Sequence, residues 1–582
     1  MKKLYTLSFF LVSFICFSQC PPDDIILNNQ NDIDNFSINY PNCTALNAGL
    51  TITGSDITNL SPLSVIETVD GNLSIAENPS LLDITGFDSI EDIGQSLYIE
   101  DNLSLIDISG FSNLDEIDIL NIIDNPSLQN ISGFNTLAIA ARIDIRRNNN
   151  LQDISTFNNL VIVQSYIYID ENPSLLDITG FDSIEDIGQS LYIKDNLSLI
   201  DISGFSNLVT IEKDLNIRDN TSLTNIRGFN NLASIGDDFF LRDNTSLIDI
   251  IGFNSLESIV GNFKIEDNTS LQDISAFNNL VTFGGKLYIR DNSSLPAISG
   301  FNNLVTIQGI SIQANYSLLD ISGFNSSETI LGALDIQGNY SLLDISGFSS
   351  LVTIGDDLRI RENFILPDIS GFNSLVTITD YLSVDENPSL LDISGFNSLV
   401  TIIDGLSVDE NPSLQNITGF NNLETAGRID IEENINLPAI SGFNNLETAG
   451  RIDIDENINL LDISGFSNLV TIEDYFYIED NASLLDISGF NSLESIVGNF
   501  YIDDNTSLQD ISGFNSLESI VGNFYIEDNT SLQDISGFSS LVTIGDNFNI
   551  EANSNLFSIT GFNSIETIVN TFYIINNSNF FF

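Results

Sequence analysis

Apolar residues recur along this chain in one fixed order, and residues 395–418 show it. Leu399 and Ile402 bound a first short segment, Leu406 and Val408 a second, and Leu414 and Ile417 a third, with Gly, Asn, Asp and Ser between them. The second segment alternates with period two, and its equivalents read Leu-Tyr-Ile, Phe-Tyr-Ile or Leu-Ser-Val. Alternation of β-branched and aromatic residues predicts a strand. Segments this short, broken by turn formers, cannot be helices of any length. Each stretch of about 24 residues is therefore a coil that adds short strands to parallel sheets. One coil cannot bury its apolar side alone, so neighbours must stack on it.

Two further columns keep the same period. Asn stands at Asn78, Asn102, Asn125, Asn148, Asn172 and Asn196, and on to Asn505, Asn529, Asn553 and Asn577; all 22 positions at this step are Asn. A side-chain amide offers donors and an acceptor, so stacked amides predict corners whose open backbone groups are satisfied from coil to coil. Asn also tolerates a left-handed backbone, which suits a corner. Phe follows the coil glycine at Phe87, Phe111, Phe134, Phe157 and Phe181 and on to Phe538 and Phe562, with Leu63 the exception in the first coil. Stacked rings predict a continuous inner spine. The fold class expected is all-β, a parallel β-solenoid of about 22 coils, on the order of 105 Å long at about 4.8 Å per coil.

Several coils are one residue short, as between Gly419 and Gly442, and the missing residue falls between the first two segments, at Ala426-Gly427-Arg428. That corner is expected to be exposed and tolerant. Residues 489–512 nearly repeat as 513–536, which points to internal duplication.

Composition narrows the function classes. Lys and Arg number 17 against 81 Asp and Glu, a net charge of −64 in 582 residues, with no His and no Trp. Such a surface repels nucleic acid and anionic membranes. Missing His removes the commonest general base and metal ligand. Residues 1–19 read as a signal peptide: Lys2 and Lys3, a short apolar run from Leu4 to Phe17, then Ser18-Gln19. Nothing later is long enough to span a bilayer. The chain is expected to be exported, secreted or held at the outer cell surface, starting at Gln19 or Cys20, with lipidation of Cys20 as the rival outcome. Cys20 and Cys43 remain as an even pair in an oxidising compartment, and a disulfide between them would contribute roughly 3 kcal/mol. Residues 20–59 are expected to form a cap and first irregular coil, with Asn31 capping a helix that carries Ile33, Phe36 and Tyr40 on one face. Residues 60–582 form the solenoid.

The runs Leu351-Val-Thr-Ile-Gly355 and Leu97-Tyr-Ile-Glu-Asp-Asn102, with the opening Cys20-Pro-Pro-Asp-Asp and the later Asn-Tyr-Pro-Asn-Cys43, resemble the receptor L-domain type of leucine-rich solenoid in exported bacterial proteins. The resemblance covers about residues 20–582. It implies a right-handed β-solenoid at a cell surface or outside the cell, and no catalytic residues. Phe in place of the usual Leu departs from that pattern. So does the ending Asn579-Phe580-Phe581-Phe582, which lacks a cysteine-bearing cap or sorting domain and reads as truncated.

Candidate chemistry lies in the acidic columns. The residue before the Asn is acidic in 17 of 22 coils. One residue earlier the column is mixed, with Arg146, Lys194, Arg218, Arg242, Arg290 and Arg361 among acids. Seven successive coils carry an acidic pair: Asp385 and Glu386, Asp409 and Glu410, Glu432 and Glu433, Asp455 and Glu456, Glu479 and Asp480, Asp503 and Asp504, Glu527 and Asp528. Unit charges about 4.8 Å apart repel by roughly 0.9 kcal/mol in water. Bound Ca²⁺ would relieve this, although the calcium-binding nonapeptide and the EF-hand loop are both absent. A solvated, solubilising face is the simpler expectation, with no cofactor. A β-helical polysaccharide-degrading enzyme would need a local constellation where the pattern breaks. The breaks at Arg146-Arg147, Thr156, Ala276, Pro296, Ala297, Pro367 and Pro438 supply no nucleophile with base and orienter. The expectation is a non-catalytic extracellular solenoid for binding, adhesion or scaffolding, with a surface glycan or protein as partner. Tyr98, Tyr168, Tyr192, Tyr288, Tyr477, Tyr501 and Tyr525 offer aromatic contact points on the middle strand.

Overall fold

The structure is a computed structural model that describes residues 20–579. The signal peptide read at residues 1–19 and the last three Phe lie outside the described residues. The chain divides into two compact units, one ending at Leu208 and the other beginning at Val209.

The chain is an all-β parallel solenoid of about 23 turns with little helix. In the first unit the middle strands pair in parallel from Ile25–Leu27 through Leu50–Ile52, Leu73–Ala76, Ser96–Glu100, Glu116–Ile123, Ile139–Arg146 and Ile167–Asp170 to Leu191–Lys194. The column thus starts two rungs before the first corner Asn. Gly54 takes the corner place there and donates its N–H to Asn78 Oδ1 at 3.0 Å. In the second unit the same column runs from Leu215–Arg218 to Phe572–Ile575. Register is one coil to the next without slip: Tyr477 pairs with Tyr501 and Tyr501 with Tyr525.

The expected spine is present in each unit. Phe87, Phe111, Phe134, Phe157, Phe181 and Phe205 stack with ring centroids 5.1–5.8 Å apart and are fully buried. In the second unit, Phe514, Phe538 and Phe562 stack at 5.3 Å, and Phe524 of the middle strand packs edge-on against Phe538 at 5.1 Å. Mixed stacked and edge-on contacts suit the ring quadrupole. The glycine before each Phe permits this packing: a Cβ on Gly371 would lie 2.2 Å from the carbonyl oxygen of Ile345 one coil earlier. Thr156 stands where other coils have this glycine, and its hydroxyl accepts the N–H of Phe134 at 3.0 Å.

The short coils resolve differently from the expected loop. In four of them the turn is lost and the first two segments fuse into one eight-residue strand, as at Thr425–Glu432 and Thr448–Asp455, whereas the short coil after Gly300 keeps Thr306–Ile307 and Ile310–Gln313 apart. Full-length coils keep two strands with a turn between, such as Thr353–Ile354 and Leu358–Arg361.

The N-terminal helix also departs from expectation. Asn29, not Asn31, is the N-cap, and its Oδ1 accepts the Asp32 N–H at 3.0 Å. The helix breaks into Gln30–Asp34 and Phe36–Asn39. Ile33 and Phe36 are fully buried as expected, while Tyr40 is half-buried against Phe36. Cys20 and Cys43 are joined in a disulfide, which uses the sulfur that lipidation of Cys20 would need.

Candidate binding faces

The corner Asn is built as anticipated. Asn411 is fully buried. Its Oδ1 accepts the Asn387 N–H at 3.0 Å, and its own N–H donates to Asn434 Oδ1 at 3.2 Å. Its Nδ2 donates to Val384 O in the preceding coil at 2.7 Å and to Asp409 O at 2.9 Å. Asn125 in the first unit repeats the pattern with Asn102, Asn148, Ile99 and Ile123. Every polar atom of the amide is engaged by the solenoid itself, so the column has no group left for a ligand.

The left-handed residue is the one before the Asn. All 22 of these, from Glu77 to Asn576, have φ between +49° and +66°. The turn there aims the Asn side chain inward and leaves its neighbour's side chain outside. Asp and Asn tolerate this backbone better than most residues, and Gly338 holds it without strain. The acidic column of the sequence is thus also the column of left-handed corners.

The mixed column and the Tyr column share the outward face of the middle strands. From Arg142 to Lys194 in the first unit, charges there cancel. Asp144 has no side-chain exposure and is held by Arg142 at 2.6 Å and by Arg146. Lys194 binds Asp170 at 2.9 Å, and Arg147 binds Asp124 at 2.8 Å. Tyr168 stacks on Tyr192 at 4.8 Å, with both Arg142 and Arg146 over its ring. The Arg146-Arg147 break in the pattern is therefore occupied by ion pairs.

In the second unit, Asp385, Asp409, Glu432, Asp455, Glu479, Asp503 and Glu527 occupy paired strand positions. Arg361 reaches Asp385 at 3.4 Å at one end of this run. Arg428 and Arg451 both bind Asp430, two residues before Glu432 on the same strand, at 2.5 and 2.8 Å. Burial, then neighbouring carboxylates, pushes Asp409 up to about 6 and Asp503 to about 6. The same causes push Glu432 and Asp455 up to about 7. Tyr477, Tyr501 and Tyr525 run beside these acids at 4.6 and 4.8 Å spacing. Burial and its Tyr neighbours push the Tyr501 hydroxyl up to about 12. Carboxylate oxygens of Asp503, Asp504 and Asp528 lie within 4.8 Å of one another, as do those of Asp430, Glu432 and Asp453. The second group already has its two guanidinium partners; the first is the one whose oxygens suit a hard cation.

The sequence reading missed a further column, one residue after the corner Asn. It carries Thr245, Thr269 and Ser293, then Tyr316, Tyr340, Phe364, Pro388, Pro412, Ile435 and Ile458, then Ala482, Thr506 and Thr530. Each apolar member is exposed or half-buried. The signal was available as a seven-coil change of residue type, but this column lies outside the strands where alternation was sought.

No family model matches the chain, and no curated protein matches its sequence. Among solved structures, the chain is similar to the TLR13–ssRNA13 complex at 13% identity and a TM-score of 0.26, covering 91% of this chain and 87% of that one. It is also similar to a leucine-rich repeat protein from Bacteroides ovatus, at 13% identity and a TM-score of 0.16, covering 69% of this chain and 86% of that one. A leucine-rich cell surface protein from Faecalibacterium prausnitzii matches at 12% identity and a TM-score of 0.17, covering 57% and 83%. The parallel strand column, the period and the Leu-x-Ile-x-x-Asn corner resemble those of a leucine-rich solenoid. No helix among the described residues is long and apolar enough to cross a membrane.

Proposed function

We propose that the protein is a non-catalytic binding scaffold, exported and acting outside the cell or at its surface. It presents columns of like side chains to an extended partner, either a surface glycan or a surface protein. The observation that carries this reading is register. From Asp385 to Glu527, seven carboxylates stand on directly paired positions, with Tyr477, Tyr501 and Tyr525 on the adjacent column. A partner with its own repeat gains from many weak contacts on such a face. The charge disfavours polyanions, so nucleic acid is not the partner expected. The disulfide supports an oxidising compartment. The enzyme reading has little support, because the pattern breaks fall on packing residues and ion pairs. Residues 20–582 on an array of surface glycans and proteins test this reading. Retention that weakens in Tyr501→Ala and Asp503→Asn supports it, retention on none sinks it, and cleavage of a retained glycan would move the protein to the enzyme class.

The second reading is a Ca²⁺-stabilised acidic structural element, favoured by the Asp503, Asp504 and Asp528 grouping. Thermal melting with and without millimolar Ca²⁺ at fixed ionic strength separates the two. A raised midpoint that is lost in Asp503→Asn/Asp504→Asn supports Ca²⁺, and an unchanged midpoint removes it.

A further inference from the structure

The apolar column after the corner Asn has no part in the packing of the core; in the second unit its apolar run extends from Tyr316 to Ile458, and the first unit carries a sparser one at Pro79, Leu103, Pro126, Pro173 and Leu197. Tyr316, Phe364 and Ile458 are 45%, 43% and 46% exposed. Contiguous apolar surface of this kind on an otherwise acidic protein marks an interaction site. Between Phe364 and Ile435 the column is hollowed by about 350 Å³, with Phe364, Pro388, Pro412 and Ile435 as its apolar floor. Glu386, Glu410 and Glu433 form one edge. Arg361 approaches Glu386 at 4.0 Å. Among the described residues, Glu410 and Glu433 have no basic partner.

The spacing selects the shape of an occupant. Coils repeat at about 4.8 Å, and an α-helix turns once in about 5.4 Å. A helix laid along the column therefore places one turn on each coil and drifts by only about 0.6 Å per coil. An extended strand repeats its side chains on one face at roughly 6.8 Å and falls out of step. The rings argue against a flat sugar: Tyr340 and Phe364 lie 4.3 Å apart and 8° from parallel, so they cover each other's faces and present edges.

We propose that this column docks an amphipathic helix of a partner protein, with its apolar i, i+3, i+4, i+7 stripe on Phe364, Pro388, Pro412 and Ile435 and Lys or Arg along the flank that meets Glu410 and Glu433. This rests on the binding-scaffold reading and gives it a second surface with a stated partner chemistry. Helix-in-groove recognition works through such anchors, and the glutamates add register and steering.

The test is fluorescence anisotropy of the full chain with a labelled 21-residue Leu/Lys amphipathic helical peptide and a scrambled peptide of equal composition. The ordered peptide is expected to bind at least about tenfold tighter than the scrambled one. Phe364→Thr/Ile435→Thr introduces the residue that other coils carry at this position, and it is expected to weaken binding by about tenfold or more. Glu410→Ala/Glu433→Ala, with Ala as at Ala314, is expected to weaken binding and flatten its salt dependence. Asp503→Asn/Glu527→Gln on the sheet face is expected to leave binding unchanged. Equal binding of both peptides, no effect of the Thr pair, or an equal loss in the sheet-face variant would overturn the proposal. So would Phe364-dependent retention of a glycan or a lipid vesicle in place of the peptide. Circular dichroism melting of each variant separates loss of binding from loss of fold. Array binding by the wild type without column-dependent peptide binding overturns this inference alone; the reverse result overturns the sheet-face reading alone.

Discussion

The outward sheet face at residues 142–194 and that at residues 385–527 share strand, register and corner Asn, yet they handle charge in opposite ways. In the first, Asp144 and Asp170 are buried and each meets a cation. In the second, six of the seven carboxylates in the strand column have no guanidinium or ammonium partner among the described residues, Asp385 being the exception, and burial among like charges pushes several toward neutral pH. The backbone is indifferent to this change. Stacking fixes where a side chain stands, whereas the identity of its neighbours along the strand and one coil away decides whether its charge is cancelled or accumulated. A face that leaves charge uncancelled gives up stability at neutral pH and gains attraction for a cationic or cation-bridged partner.

The sharpest way to break the comparison is to make the first face resemble the second. Arg142→Met/Arg146→Met strands the fully buried Asp144 carboxylate and should cost about 3–5 kcal/mol in urea unfolding. A cost below about 1 kcal/mol would mean that the pairs do not stabilise this face. The Asn corner is the control, because both regions share it. Asn125→Ala and Asn505→Ala each leave buried backbone groups without partners and should each cost about 3 kcal/mol. Unequal costs would show that the two stacks are not built alike.

Next comes pH. Asp409, Asp503, Glu432 and Asp455 titrate at about 6 to 7 in the folded chain against about 4 when unfolded. The folded state therefore holds more protons across that interval. The stability these groups contribute is complete below about pH 4 and is lost as pH rises through about 7. The urea midpoint should fall from pH 5 to pH 8, and Asp409→Asn/Glu432→Gln/Asp455→Asn should flatten the fall. A midpoint that rises over this interval would contradict the assignment. The smallest effect tests the left-handed corners: Ala552→Gly should stabilise by about 0.5–1 kcal/mol, because Ala at φ +57° is strained and Gly is not. No gain would mean that the corner carries no strain.

Much of this fold was legible before any coordinates. Asn411 and Phe538 announce their places by recurrence alone, because a buried amide and a buried ring must each meet their copy one coil away. The cap was less legible. Asn29 and Asn31 are both competent N-caps, and only the packing of Ile33 and Phe36 decided between them. Strand fusion in the shortened coils was not legible, because a deletion does not say whether the turn survives: at Ala426-Gly427-Arg428 it straightens two strands into one, and after Gly300 two strands remain. The column from Tyr316 to Ile458 was passed over because it lies outside the strands where alternation was sought and its residue type changes along the chain.

The sequence by itself determined the period, the parallel stacking, the Phe spine and the Asn corner. Each follows from a residue type that recurs at one step and can be satisfied only by its own copy. Tertiary structure alone decided which residue takes the left-handed turn, since Asp, Glu, Arg, Ala, Gly and Asn all occupy that position. It also decided which acids are paired and which accumulate, because cancellation depends both on side chains two residues apart on one strand, as at Arg142 and Asp144, and on side chains more than twenty residues apart that meet across a rung, as at Lys194 and Asp170.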